Sequence, residues 1–219
     1  MKRTFGLVLA LAALLAACST GKVTEMKRLQ AQNAYERGLS QAAQGQSALA
    51  LSSFHEAASL DPRSALYRAT LGQLLLDLGR VDPAIAELKE SIDLDPNRGD
   101  TYFHLGTALA EARRWEEAVA AYRKAIVQPT LTVLDLAYQN LGLALFHLGR
   151  YREAEEALRF ALSLDPQLQA AYYNLGLVLT AQKRPEEAKA LFRRARQIAP
   201  ESPFGQAAVE RLKALGDGG

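Results

Sequence analysis

The sequence predicts an all-α solenoid of about five repeats, each a pair of helices, with a capping helix at the C-terminal end. Three regular spacings support this prediction. Five glycines recur at intervals of 34, 34, 36 and 34 residues, namely Gly38, Gly72, Gly106, Gly142 and Gly176. An alanine follows each of them twelve residues later, namely Ala50, Ala84, Ala118, Ala154 and Ala188. A proline closes each unit, namely Pro62, Pro96, Pro129, Pro166 and Pro200, with Pro129 one residue early. Self-similarity at such a period indicates a repeat architecture.

The apolar pattern inside the units is helical. In the fourth unit one apolar stripe recurs at helical spacing, formed by Tyr138, Leu141, Leu145 and Leu148. Gly149 then supplies a left-handed helix end, as Gly45 and Gly79 do in their units, and a second helix is expected to begin near Tyr151.

Two further local expectations follow from this pattern. Gly142 and Ala154 should be small because the two helices of the pair approach closely there. In the second unit, Asp82 and Pro83 are typical of an N-cap followed by the first helical residue.

The unit "LGLALFHLGRYREAEEALRFALSLDP" resembles the tetratricopeptide repeat, and five such copies cover roughly residues 31–202. The resemblance implies a right-handed superhelix stabilised by the stacking of neighbouring repeats. Residues 203–219 are predicted to form a capping helix, Pro203 to Leu215, and a frayed tail.

The N-terminal segment has the layout of a secretory leader. A basic start, Lys2 and Arg3, precedes an uncharged stretch from Phe5 to Ala17 that is shorter than the roughly 20 residues of a transmembrane helix. The leader ends in Leu15-Ala16-Ala17-Cys18, which resembles the bacterial lipobox, and Cys18 is the only cysteine of the chain.

This layout predicts a lipoprotein signal peptide at residues 1–17, lipidation of Cys18 and a lipidated tether at residues 18–30. Ser19 resembles the pattern that sends Gram-negative lipoproteins to the outer membrane, where the chain would face the periplasm. The alternative is an ordinary signal peptide with an incidental cysteine.

Composition and motifs argue against nucleic-acid binding and catalysis. Removal of the leader leaves equal numbers of basic and acidic residues, so no strong positive field would attract nucleic acid. The three histidines, His55, His104 and His147, are more than forty residues apart and have no metal-ligand spacing. No Gly-rich phosphate loop or nucleophile motif is present, so the sequence predicts a binding protein without cofactor or metal.

The tetratricopeptide resemblance implies a groove lined mainly by the first helices of the repeats. Family members that clamp a peptide carboxylate carry Lys, Asn and Arg there, whereas this chain has apolar and aromatic residues. The predicted partner-binding residues are Tyr35, Leu39, Phe103, Leu143, Phe146, Tyr173 and Leu177. They suit an amphipathic helix or an apolar peptide, although several of them could instead fill the core between repeats.

A lipobox followed directly by repeats also resembles the type IV pilus pilotin family, outer-membrane lipoproteins that assist assembly of the secretin ring. The extended third joint, "VQPTLTVLDLAYQNLGLAL", adds to the likeness, although it could also be a tolerated loop insertion. The resemblance implies a secretin segment as the partner. The alternative is a general periplasmic scaffold lipoprotein that recruits cell-envelope enzymes.

Overall fold

The computed structural model describes residues 25–217, and within that range the chain forms eleven helices and no strand. The helices are α1 (25–43), α2 (Ser47–Leu60), α3 (Ala65–Asp77), α4 (Val81–Leu94), α5 (Gly99–Glu111), α6 (Trp115–Ile126), α7 (Leu134–His147), α8 (Tyr151–Leu164), α9 (Gln169–Ala181), α10 (Pro185–Ile198) and α11 (Pro203–Ala214). Helices α1 to α10 form five consecutive pairs that stack on one another, and in the first pair Gly38 of α1 lies against the ring of Phe54 of α2. Helix α11 packs on α10 and α9. The predicted solenoid with a capping helix is therefore confirmed.

Close contact between the two helices of a pair explains the repeated glycine. In the fourth repeat, a Cβ on Gly142 would be 2.6 Å from Cγ of Leu158 and 3.2 Å from the carbonyl oxygen of Ala154. In the third repeat, a Cβ on Gly106 would be 2.6 Å from the ring of Tyr122. The small residues at these positions therefore let a large core side chain of the second helix pack against the backbone of the first.

The turn inside each pair has one backbone conformation, whichever residue occupies it. Gly45, Gly79 and Gly149 have φ of 73°, 70° and 73°, which confirms the expected left-handed helix ends. In the third and fifth repeats the same position is held by Arg113 (φ 58°) and Lys183 (φ 61°). In each case the N–H of the residue after this position donates a hydrogen bond to a carbonyl of the preceding helix, for example from Arg114 to Leu109 at 2.8 Å. The turn is therefore a Schellman motif.

These turns allow a paired stability test. Gly149→Ala is expected to lower the free energy of unfolding by about 1 kcal/mol, because a Cβ disfavours the left-handed region. Arg113→Gly is expected to raise it by about 0.5 kcal/mol, because relief of that strain exceeds the added entropy of the unfolded chain. Urea denaturation followed by circular dichroism measures both changes. A loss of stability in Arg113→Gly as large as that in Gly149→Ala would show that the turn at Arg113 is not strained.

The expected N-cap at Asp82 is wrong. Helix α4 begins at Val81, its N-cap is Arg80, and no side chain caps it. The reason is the tight turn: the N–H of Arg80 already bonds to the Leu75 carbonyl at 2.8 Å, so the second helix starts immediately afterwards. Asp82 lies instead in the first turn, where its charge suits the positive end of the helix dipole.

The N-terminal boundary of the repeats differs from the sequence assignment. Residues 25–30, which we assigned to the tether, are helical and belong to α1. The proposed leader, Cys18 and the last two residues of the tail lie outside the described residues. In the part of the chain that is described, no helix combines the length and apolar character needed to cross a bilayer.

In the structure the third joint is the loop of residues 127–133, because the rest of the extended segment is part of α7. This loop folds onto the start of α5. The N–H of Gly99 donates to the Thr130 hydroxyl (2.8 Å), which donates to the Asn97 carbonyl (2.6 Å). Both the backbone N–H and the hydroxyl of Thr132 donate to Oδ1 of Asp100 (2.9 and 3.0 Å). A Cβ on Gly99 would be 2.8 Å from the Leu131 nitrogen. The insertion is therefore a specific contact between repeats.

Candidate peptide-binding groove

One face of the solenoid is formed by the first helices of successive repeats. Along it α3 contacts α5, α5 contacts α7, and α7 contacts α9. Two pockets open on this face on either side of α5, one between α5 and α7 and one between α3 and α5. We call them the apolar pocket and the polar pocket.

The apolar pocket has a volume of about 250 Å³. Its lining residues are Thr107, Ala110, Glu111, Trp115, Tyr122, Asn140, Leu143 and Ala144. Tyr122 is almost fully buried beneath it, and its hydroxyl donates to the Thr107 hydroxyl at 3.3 Å. Burial raises the pKa of Tyr122 to about 12, so the phenol is neutral at physiological pH.

Trp115 gives the apolar pocket a rigid wall. Its ring stacks on the imidazole of His147, with centroids 4.1 Å apart and an interplanar angle of 9°. A pocket of this size, walled by aromatic and aliphatic groups, can hold one apolar side chain of a partner.

The polar pocket has a volume of about 380 Å³. Leu66, Ala69, Thr70 and Gln73 line it from α3, Arg98, Asp100, Thr101, Phe103 and His104 from the start of α5, and Thr132 and Val133 from the third joint. Burial lowers the pKa of His104, so its imidazole is neutral at pH 7. The pocket thus mixes an apolar wall with fixed donors and acceptors.

The predicted groove residues occupy three different settings. Phe103 lines the polar pocket and Leu143 the apolar pocket. The ring of Phe146 lies 5.7 Å from His147 and 5.8 Å from Tyr151, at the turn end of α7. Of these three residues, Phe103 and Leu143 each line one of the two pockets beside α5, and Phe146 lines neither.

The other predicted residues lie in the terminal repeats. Tyr35 packs against Phe54 and Tyr67, and Tyr173 packs against Phe192 and Phe204. Leu39 is exposed and Leu177 half-buried. The rings of Tyr35 and Tyr173 are half-buried and pack against the core. This is the arrangement expected if these residues fill the core between repeats and do not line a groove.

Sequence reasoning missed Trp115 and the polar residues around Arg98. Trp115 is the only tryptophan of the chain and begins a second helix, a position that the groove rule for first helices does not consider. Arg98 and Thr132 belong to loops that meet only because the third joint folds back. Across residues 25–217 no group of three or more His, Cys, Asp or Glu side chains could hold a metal ion.

The family model of the tetratricopeptide repeat matches residues 35–99, 70–130 and 140–203, which together cover more than half of the chain. The chain belongs to the tetratricopeptide repeat family. Proteins of this family bind peptide or protein partners and are generally non-enzymatic, and this tetratricopeptide repeat protein has the architecture of an interaction scaffold.

Solved structures with this fold include PilW and pilF. The crystal structure of PilW, a widely conserved type IV pilus biogenesis factor, is 19% identical with a TM-score of 0.76, over 85% of this chain and 86% of PilW. Pseudomonas aeruginosa pilF is 20% identical with a TM-score of 0.72, over 87% of this chain and 86% of pilF. At these identities the likeness shows the fold alone.

The curated relatives match about half of this chain or less. The peroxisomal targeting signal receptor of Candida albicans is 35% identical over 116 residues, which is 51% of this tetratricopeptide repeat protein and 19% of the receptor. The chain spans a quarter or less of the length of the curated relatives it matches.

Proposed function

We propose that this tetratricopeptide repeat protein is a membrane-anchored interaction module that acts as a pilotin-like factor in secretin assembly for type IV pili. The observation that carries the proposal is the pair of pockets beside α5. The apolar pocket can bind an apolar side chain, and the polar pocket presents hydrogen-bonding groups. The choice of system rests on the resemblance of the sequence to the pilotin family, and the fold is one that PilW and pilF share.

The binding energy is proposed to come from apolar contact. The apolar pocket presents Trp115, Leu143 and the buried ring of Tyr122, and such pockets receive the anchor side chains that dominate peptide affinity. A secretin segment with an apolar or amphipathic face would place one such side chain between α5 and α7. Burial of that side chain removes apolar surface from water, which drives association.

The anchor is proposed to be lipid on Cys18. A single acyl chain holds a protein to a membrane only marginally, but each buried CH₂ adds about 0.8 kcal/mol, so two or three chains hold it firmly. An outer-membrane location on the periplasmic side would bring the captured secretin segment to the membrane in which the ring assembles.

Deletion of the gene tests the pilotin role. In the deletion strain we expect the secretin to remain monomeric on non-denaturing gels and surface pili to be absent, with both restored by the wild-type gene. Normal secretin multimers in that strain would overturn the pilotin role and leave the general scaffold.

A Cys18→Ser variant tests the anchor separately. We expect wild-type protein in the outer-membrane fraction and the variant outside it, because serine has no thiol to form the thioether bond to the lipid. The circular dichroism of the two proteins should agree, since residue 18 lies before the repeats. Wild-type protein in the soluble fraction would contradict the anchor.

A further inference from the structure

The polar pocket contains buried polar groups whose hydrogen bonds are unmade. Thr101 is 1% exposed, and its hydroxyl finds no partner anywhere in residues 25–217. Nε of Arg98, three residues earlier, is also shielded from solvent and without a partner in the same range. Both side chains line the polar pocket. Native proteins pair nearly all their buried polar groups, so the partners of these two are expected to be an ordered water or a ligand group in the pocket.

An acceptor lies beside these donors. Oδ1 of Asp100 accepts two hydrogen bonds from Thr132, which hold the carboxylate at the wall of the polar pocket. Contact of Leu131 with Gly99 fixes the third joint against the start of α5. The pocket lining therefore contains both a guanidinium and a carboxylate, and the fold holds the carboxylate in place before any ligand enters.

The charges of the pocket select the kind of ligand group. Arg98 and Asp100 carry opposite charges, and His104 is neutral, so the lining has no net charge. A carboxylate ligand would be attracted by Arg98 but repelled by Asp100. A primary amide suits both, since its oxygen accepts from Arg98 or Thr101 and its NH₂ donates to Asp100.

We propose that the polar pocket binds the side-chain amide of an asparagine or glutamine in the partner segment. The proposal rests on the groove of the proposed function and adds a specificity to it. Ala69 and Phe103 form the apolar wall against which the methylene groups of that side chain would pack.

The position of the two pockets also sets a spacing. They lie on opposite sides of α5 and at different heights along it, since residues 100–104 line the polar pocket and residues 107–111 the apolar pocket. A distance of about 8–10 Å across α5 and a rise of about 10 Å along it place the pockets about 14 Å apart. An extended chain covers this distance in about four residues. The partner segment should therefore carry an amide about four residues from an apolar anchor.

Selection from a phage-displayed library of random 12-residue peptides tests the proposal. The bait is the full chain, solubilised from membranes in detergent and immobilised through a C-terminal tag. We expect selected peptides to share a Leu, Ile, Met or Phe and, about four residues away, an Asn or Gln. In one synthetic peptide from the selection, Asn→Asp or Asn→Ala should weaken binding about tenfold or more, because buried groups of the site are then left unpaired.

Two variants of the bait separate binding from folding. Arg98→Met and Thr101→Val should abolish the amide preference while the apolar preference remains. Thr101→Val should unfold at the same or a higher urea concentration than the wild type, because it removes a buried hydroxyl that has no partner.

The outcomes distinguish this proposal from the proposed function. Peptides that share an apolar anchor but no amide would overturn the amide site and leave the groove intact. Enrichment of Asp or Glu in place of the amide would overturn it in favour of an anion site. Failure to select any peptide would overturn both the amide site and the groove.

Discussion

Ala84→Leu is expected to lower the free energy of unfolding by about 1–3 kcal/mol, because it overpacks the contact between the two helices of the second repeat. Ala84 is fully buried in α4, and its carbonyl oxygen lies 3.3 Å from where a Cβ on Gly72 would be. Leucine adds three carbon atoms where the two helices are already in contact. Chemical denaturation followed by circular dichroism measures the change.

Ala86→Leu is the matched control. Ala86 lies two residues later in the same helix and faces solvent, so the leucine there should change stability by no more than about 0.5 kcal/mol. The equivalent position in the fourth repeat, Ala154, is also fully buried and should respond as Ala84 does. Equal effects of the two α4 variants would show that the helix pair is not tightly packed at Ala84.

Leu143→Glu is expected to weaken binding of an apolar peptide selected against the groove by at least about tenfold, because it places a charge in the wall of the apolar pocket. The side chain of Leu143 is only half-buried, so the fold should remain intact. Fluorescence anisotropy with a labelled peptide measures the affinity. For the wild type, that affinity should change little between low and high salt, since little of the binding energy is Coulombic.

Leu164→Glu makes the same chemical change away from the pockets. Leu164 is exposed at the end of α8 and lines neither pocket, so this variant should bind the peptide as the wild type does. Equal loss of binding in both variants would contradict the assignment of the apolar pocket.

The sequence was sufficient to predict the repeats because one contact recurs in each of them. A glycine in the first helix, a small residue twelve positions later and a left-handed turn between them satisfy the same packing five times. The left-handed turns at Arg113 and Lys183 were not predictable in this way, since neither residue favours that conformation. The register of the repeat and the hydrogen bonds of the turn impose it there.

The candidate site was predictable only in part. The rule that first helices line the groove selected Phe103 and Leu143, and the structure places each of them in the lining of a pocket. It could not predict the polar pocket, because Thr132 lies more than thirty residues after Asp100 in the sequence. The two residues come into contact only when the third joint folds back onto the start of α5. It also could not show that the ring of Tyr35 packs against Phe54 and Tyr67, since burial depends on neighbouring repeats.

Photo-crosslinking in living cells tests the central claim, that the groove beside α5 binds a secretin segment. A benzoylphenylalanine replaces Leu143 in the apolar pocket or, as a control, Leu164 on α8, and adducts are detected with antibodies to both proteins. We predict an adduct between this chain and the secretin from position 143 and none from position 164. The absence of a secretin adduct at position 143, or adducts of equal yield at both positions, would contradict the claim.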